Sequence, residues 1–216
     1  MLGEIQVFSF HFQGGDRVGD AETAKIQADK VHGERFLLRQ RLRRFSVAFV
    51  QSLCHTKGTW ARKPFELIDW REQIIRDIFG ILKPNGYRQF NTTYIEMPKE
   101  QGKSELAAAI ALLLTCGDGE ERAEVYGCAA YRNQATIAFD VAVDMVRFCS
   151  ALSKRVKILE SQKKIEHLPT RSTCQVFSAD VANKHGFNTH GVILCGQFLS
   201  TDRSSCESIL TQRGPG

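Results

Sequence analysis

The chain has 216 residues, 43% of them hydrophobic, and a net charge of +5. That length carries one sizeable α/β core, as one domain or two small ones, and the mild basicity accommodates a polyanionic partner without requiring one. The seven cysteines are odd in number, scattered and without a Cys-x-x-Cys pair, which argues against a disulfide frame or a zinc site. The start, MLGEIQVFSFHFQGG, lacks a basic region followed by a long apolar core, and no run approaches the length of a membrane span. A cytoplasmic location with no membrane partner is the expectation.

Residues 1–45 are the least orderly part. Ile5–Phe12 alternates weakly like a strand, and the glycines and acids after it suggest a loop. Arg35, Arg39, Arg41, Arg43 and Arg44 lie in a stretch with helical character, either a nucleic-acid-facing arm or a solvated helix face. Ser46–Cys54 reads as a short helix, broken at His55–Gly58. Ile68–Leu82 carries Trp70, Ile74, Ile75, Ile78 and Leu82 at helical spacing, with Asp69 as the expected N-cap.

The most informative stretch is Thr92–Leu114, TTYIEMPKEQGKSELAAAIALLL. It predicts a strand ending at Met97, a tight loop Pro98–Gly102, and an alanine-rich helix opening at Lys103. That order suits a phosphate-binding loop, in which backbone N–H groups and the positive end of the helix dipole face an anion. Lys103 would reach the β/γ-phosphates of ATP, and the Ser104 hydroxyl would ligate Mg²⁺. Gly-Lys-Ser/Thr alone arises by chance in about one chain in ten of this length; the strand before it and the apolar helix after it give it weight. The loop is a variant, with Met97 where the usual pattern has its first glycine.

Beyond it, Glu124–Ala130 predicts a second buried strand and Tyr131–Phe148 a helix with Ile137, Val141, Met145 and Phe148 on one stripe. Arg155–Leu159, Lys163–Leu168, Cys174–Ser178 and His190–Cys195 predict further strands. The alternation indicates an α/β sheet with parallel crossovers. His167 with Ser172 or Cys174 has the residue types of a base and nucleophile, but nothing in the sequence orients them.

Five ordered segments resemble the N-terminal ATPase part of the large terminase subunit of tailed bacteriophages. They are His55–Trp70, Ile74–Gly80, Arg88–Leu114, Gly117–Ala135 and His185–Ile193. The resemblance implies a P-loop NTPase of the RecA-like, additional-strand class, its sheet flanked by helices and incomplete at the C-terminus. It implies an ATP-Mg-driven motor for packaging double-stranded DNA, with the phage portal and a small terminase subunit as partners, in a homo-oligomeric ring. Nucleotide contacts would come from Trp70, Arg71, Pro98, Lys99, Glu100, Gln101, Gly102, Lys103, Ser104 and Glu105, with Ser104 on the metal and Lys99 as the family's basic residue near the loop start.

Three departures fall on functional positions. Arg71 stands where the family has a glutamine in its adenine-contacting segment. Cys195 and Gly196 stand where it has the acidic pair that holds Mg²⁺ and polarises the attacking water, and neither does that chemistry at neutral pH. The family's later nuclease domain is absent from the 216 residues. The expectation is therefore a terminase-like ATPase domain over 46–200 with a poorly matched extension (1–45) and a polar tail (201–216), impaired in hydrolysis. The alternative is a truncated prophage remnant acting, if at all, as a basic DNA- or subunit-binding module through Arg35–Arg44, Lys154, Lys157, Lys163 and Lys164.

Overall fold

The computed structural model describes residues 5–12, 27–84, 87–98, 101–129, 132–178 and 189–195. Strand β1 (Ile5–Phe12) is followed by helix α1 (Gln27–Gln51), helix α2 (Asp69–Gly80), strand β2 (Thr92–Pro98) and helix α3 (Lys103–Leu112). Strand β3 (Glu124–Ala129), helices α4 (Arg132–Phe148) and α5 (Ser150–Ser153), and strands β4 (Val156–Leu159), β5 (Lys164–His167), β6 (Ser172–Ser178) and β7 (Thr189–Cys195) complete it.

The strands form one seven-stranded sheet in the order β2-β1-β7-β3-β6-β5-β4. β3 runs parallel to β6 and β7, as the expected crossovers require. β1 is antiparallel to both β2 and β7, so β2 points the same way as the parallel set. The sheet then turns antiparallel through β6, β5 and β4, which are joined by tight turns. This is the P-loop α/β architecture.

The N-terminal stretch is thus an integral strand lodged between β2 and β7. Its weak alternation hid this, because a strand paired on both sides owes its place to neighbours remote in sequence. α1 is also longer than the sequence indicated: the expected short helix at Ser46–Cys54 is its C-terminal end, and the expected boundary at residue 46 falls inside it. Arg39 donates from Nη2 to the Leu82 carbonyl at 2.6 Å, and the Arg43 side chain lies across Gly80. These two arginines pack α1 on the end of α2, while Arg41 and Arg44 are exposed. The run is neither a uniform arm nor a uniformly solvated face.

α3 is buried from Leu106 onward, and the burial continues to Thr115 in a π-helical turn, Leu113–Gly117. Four alanines on α3 permit this, since small side chains let a helix lie close to both a sheet and a neighbouring helix, here α4. α4 buries Phe139, Ala142, Val143 and Val146 besides Val141 and Met145. Ile137, expected on its apolar stripe, is 47% exposed. The cap of α2 falls one residue earlier than expected, at Ile68, with Asp69 inside the first turn. A smaller apolar cluster of Tyr126, Cys128, Val192 and Leu194, backed by Phe177, is made by alternate residues of β3 and β7.

β2 is the edge strand among the described residues. It is therefore only half buried, with Ile95 and Met97 inside and Tyr94 56% exposed. Only one face of this edge strand is covered.

Candidate functional site: the loop between β2 and α3

β2 delivers the chain to the loop at Pro98, and α3 starts at Lys103, so the expected strand–turn–helix is in place. Gly102 is the N-cap and adopts the left-handed conformation (φ 68°, ψ 28°), a region glycine enters without a Cβ penalty. Its carbonyl accepts the first helical bond from Leu106 N–H at 3.0 Å. The N–H groups of the first helical turn have no acceptor within the helix, so the turn presents donors and the positive dipole end together. Lys103 and Ser104 open this turn and are both half-buried.

Two elements brace the turn. From one side, the Glu105 carboxylate takes the Thr56 N–H at 2.7 Å and the Thr56 hydroxyl at 3.0 Å, and its other oxygen pairs with His55 Nδ1 at 2.8 Å. Burial works to raise the Glu105 pKa, but the Thr56 N–H, the His55 ring and the Thr56 hydroxyl outweigh it and hold the carboxyl below its ordinary value. His55 in turn packs on the Phe65 ring, with centroids 4.6 Å apart. The segment that breaks after α1 is thereby clamped to the start of α3.

From the other side comes Arg71 in the first turn of α2. It is buried, donates from Nη2 to the Gln101 carbonyl, and lies against Gly102, where a Cβ would meet Nη2 at 3.3 Å. Its Nε has no hydrogen-bond partner among the described residues. Burial lowers the Arg71 pKa, and the Glu105 charge opposes this. Trp70 is 41% exposed and sits with its ring 5.2 Å from the guanidinium carbon.

The end of β7 lies across β1 from β2. Through β1, Phe8 is level with both Ile95 of β2 and Cys195 of β7. Cys195 thus lies two strands from β2, level with a residue three positions before the last of that strand.

The terminase large subunit ATPase domain family matches this chain over residues 69–209, well over half its length and spanning the whole β2–α3 loop. The chain belongs to that family. It is similar to the terminase large subunit of Enterobacteria phage HK97, at 26% identity over 172 residues covering 78% of this chain and 33% of that protein. The crystal structure of the HK97 bacteriophage large terminase superposes with a TM-score of 0.55 at 23% identity, over 68% of this chain and 29% of that one, which establishes the shared fold. The chain spans about a third of the length of these terminases.

On this terminase ATPase frame the expected site residues fall into three groups. Gln101, Gly102, Lys103, Ser104 and Glu105 make the turn, Arg71 reaches it and Trp70 packs on Arg71, with Pro98 ending the strand before it. Lys99, Glu100 and Gly196 lie outside the described residues, as does the tail 201–216. Cys195 ends β7. The bracing by His55 and Thr56 was not legible beforehand; the only signal is the acid directly after Lys-Ser, whose partners are 49 and 50 positions away.

The other sites weighed from sequence are structural. His167 reaches Thr170 Oγ1 at 2.8 Å, and Thr170 donates to Ser172. Ser172 donates to the Glu120 carbonyl and accepts the Ala123 N–H, both at 3.0 Å, and is fully buried. Its hydroxyl proton is committed, so it is a turn fastener and no nucleophile. Cys174 is fully buried, which pushes its thiol up to about 12 and leaves it inert. A further cluster was missed altogether: Asp118 accepts from Arg88 and pairs with His190 Nε2 at 2.5 Å, tying the approach to β2, the end of α3 and the start of β7. Among the described residues, no helix is long and apolar enough to cross a membrane.

Proposed function

We propose that this chain binds ATP with Mg²⁺ at the β2–α3 loop and that hydrolysis there is impaired. The observation that supports binding is the left-handed Gly102 turn followed by Lys103 and Ser104 at the head of a buried helix. In this reading the turn's N–H groups and Lys103 hold the β/γ-phosphates, and the Ser104 hydroxyl holds the metal. Bound Mg²⁺ would supply charge neutralisation on the phosphate oxygens. Pro98, Lys99, Glu100 and Gln101 complete the cradle, and Trp70 and Arg71 flank it. Impairment follows from Cys195 and Gly196 at the family's acidic pair, since neither polarises water.

Residues 46–200 form the ATPase unit in this reading, with 1–45 adding a strand and the start of α1, and 201–216 as a tail. The larger role is that of a terminase large-subunit ATPase domain in viral DNA packaging. Its partners would be double-stranded DNA, the phage portal, a small terminase subunit and further copies in a ring, in the cytoplasm of a bacterial host.

The test is a titration of the chain with a fluorescent ATP analogue and Mg²⁺ beside Lys103→Ala, with phosphate release followed in the same samples. Binding should weaken at least about tenfold in the variant, as loss of a charge-assisted contact predicts, and release should stay at background. Release above the Lys103→Ala level would refute impairment. Equal binding by both proteins would refute the site. DNA binding that ignores nucleotide and falls steeply with salt would favour the basic-module alternative.

A further inference from the structure

We infer that Arg71 is a phosphate-side ligand of the loop site, and that a bound phosphate would take the place of the Gln101 carbonyl as its acceptor. This rests on the loop binding a polyphosphate at all. It departs from the family-based expectation, in which position 71 belongs to the adenine-contacting segment.

The placement of the guanidinium decides between the two roles. Its Nη1 and Nη2 lie 3.6 and 3.3 Å from where a Cβ would stand on Gly102, the residue directly before Lys103. The group therefore faces the phosphate end of the loop. Trp70 stacks over it, and with the Gly102 turn on another side it is poorly placed to lay a free planar face on a base.

Its hydrogen bonding is also incomplete. A guanidinium carries five N–H donors. Among the described residues it makes one hydrogen bond, to a neutral carbonyl, and no ion pair within 4 Å. Nε is the guanidinium nitrogen that is both buried and unpartnered among the described residues, and a phosphate would match the fork with two charged oxygens at once. Nucleobases offer only neutral acceptors. Because Arg71 lies in the first turn of α2, exchanging Gln101 for a phosphate would also carry the state of the site into that helix.

The experiment compares Mg-tripolyphosphate, which has no base, with Mg-ATP by calorimetric titration of the full chain, Arg71→Met, Arg71→Lys and Lys103→Ala. Arg71→Met should weaken both ligands by the same factor, about 10- to 100-fold, leaving the preference of ATP over tripolyphosphate unchanged. Arg71→Lys should recover part of the loss for both. Weaker ATP with unchanged tripolyphosphate would make Arg71 a base reader and overturn the inference. So would unchanged affinities alongside a lowered melting temperature, which would mark a purely structural latch. If Arg71→Met does not fold, the lysine variant decides, since unequal losses for the two ligands contradict the assignment. Failure of the wild-type chain to bind either ligand, with Lys103→Ala indistinguishable from it, refutes the loop site itself and this inference with it.

Discussion

Arg71 and Trp70 are adjacent in the chain and reversed in environment: the arginine is 9% exposed and the tryptophan 41%. Helical spacing put Trp70 on the core stripe of α2, and the spacing of Ile75 and Ile78 was read correctly. The reversal is confined to the turn that meets the loop, which is where a binding site can override amphipathic patterning. Asp118 is a second residue whose role comes only from contacts. Burial works to raise its pKa, but the His190 hydrogen bond and the Arg88 charge outweigh this and set it below the ordinary aspartate range. A carboxyl depressed in the folded state adds stability that is complete above its unfolded value of about 3.9 and lost as pH falls through the folded value. Asp118→Asn should therefore destabilise the chain by about 3 kcal/mol at pH 7. Urea melts of both proteins should show that difference shrinking below about pH 4; a constant difference would deny the ionic contribution.

At the scale of elements, α3 was the most legible. The alanine run, the loop before it and its start at Lys103 were all read from sequence, because local composition and the Gly102 turn determine them. Its end was not. The helix loosens into a π turn at Leu113–Gly117, where a Cβ on Gly117 would come within 2.8 Å of Leu113 and 3.1 Å of Phe49 on α1. That close approach depends on a helix more than 60 positions upstream. Within α3, Ala109 is fully buried. Ala109→Leu should cost about 1–3 kcal/mol through overpacking, read as a lowered urea midpoint with an unchanged slope. A neutral result would show that the sheet and α4 have room to give.

For the whole molecule, β1 is the element that closes the sheet between the loop strand and β7. β1 fills the position beside β7, and β2 is an outer strand among the described residues. Removing residues 1–12 would expose unpaired backbone on both β2 and β7, a template for association. The full chain should melt in one cooperative transition. The shortened one should broaden, lose near-ultraviolet dichroism and aggregate in light scattering. A shortened chain that stays monomeric with the same midpoint would mean β1 contributes nothing to the sheet.

By itself the sequence determined the α/β alternation, the β2–loop–α3 unit and the five ordered family segments. These rest on periodicity, turn chemistry and residue identity, which are local or linear properties. Only the tertiary structure decided that Ile5–Phe12 is an inserted antiparallel strand, that Glu105 clamps His55 and Thr56, that Arg71 turns into the loop, and that Arg88, Asp118 and His190 meet. Each joins residues about 30 to nearly 200 positions apart, and such pairings are chosen by what is left to satisfy when the core closes. A buried charge needs its partner and a strand edge needs its neighbour, wherever in the chain they lie.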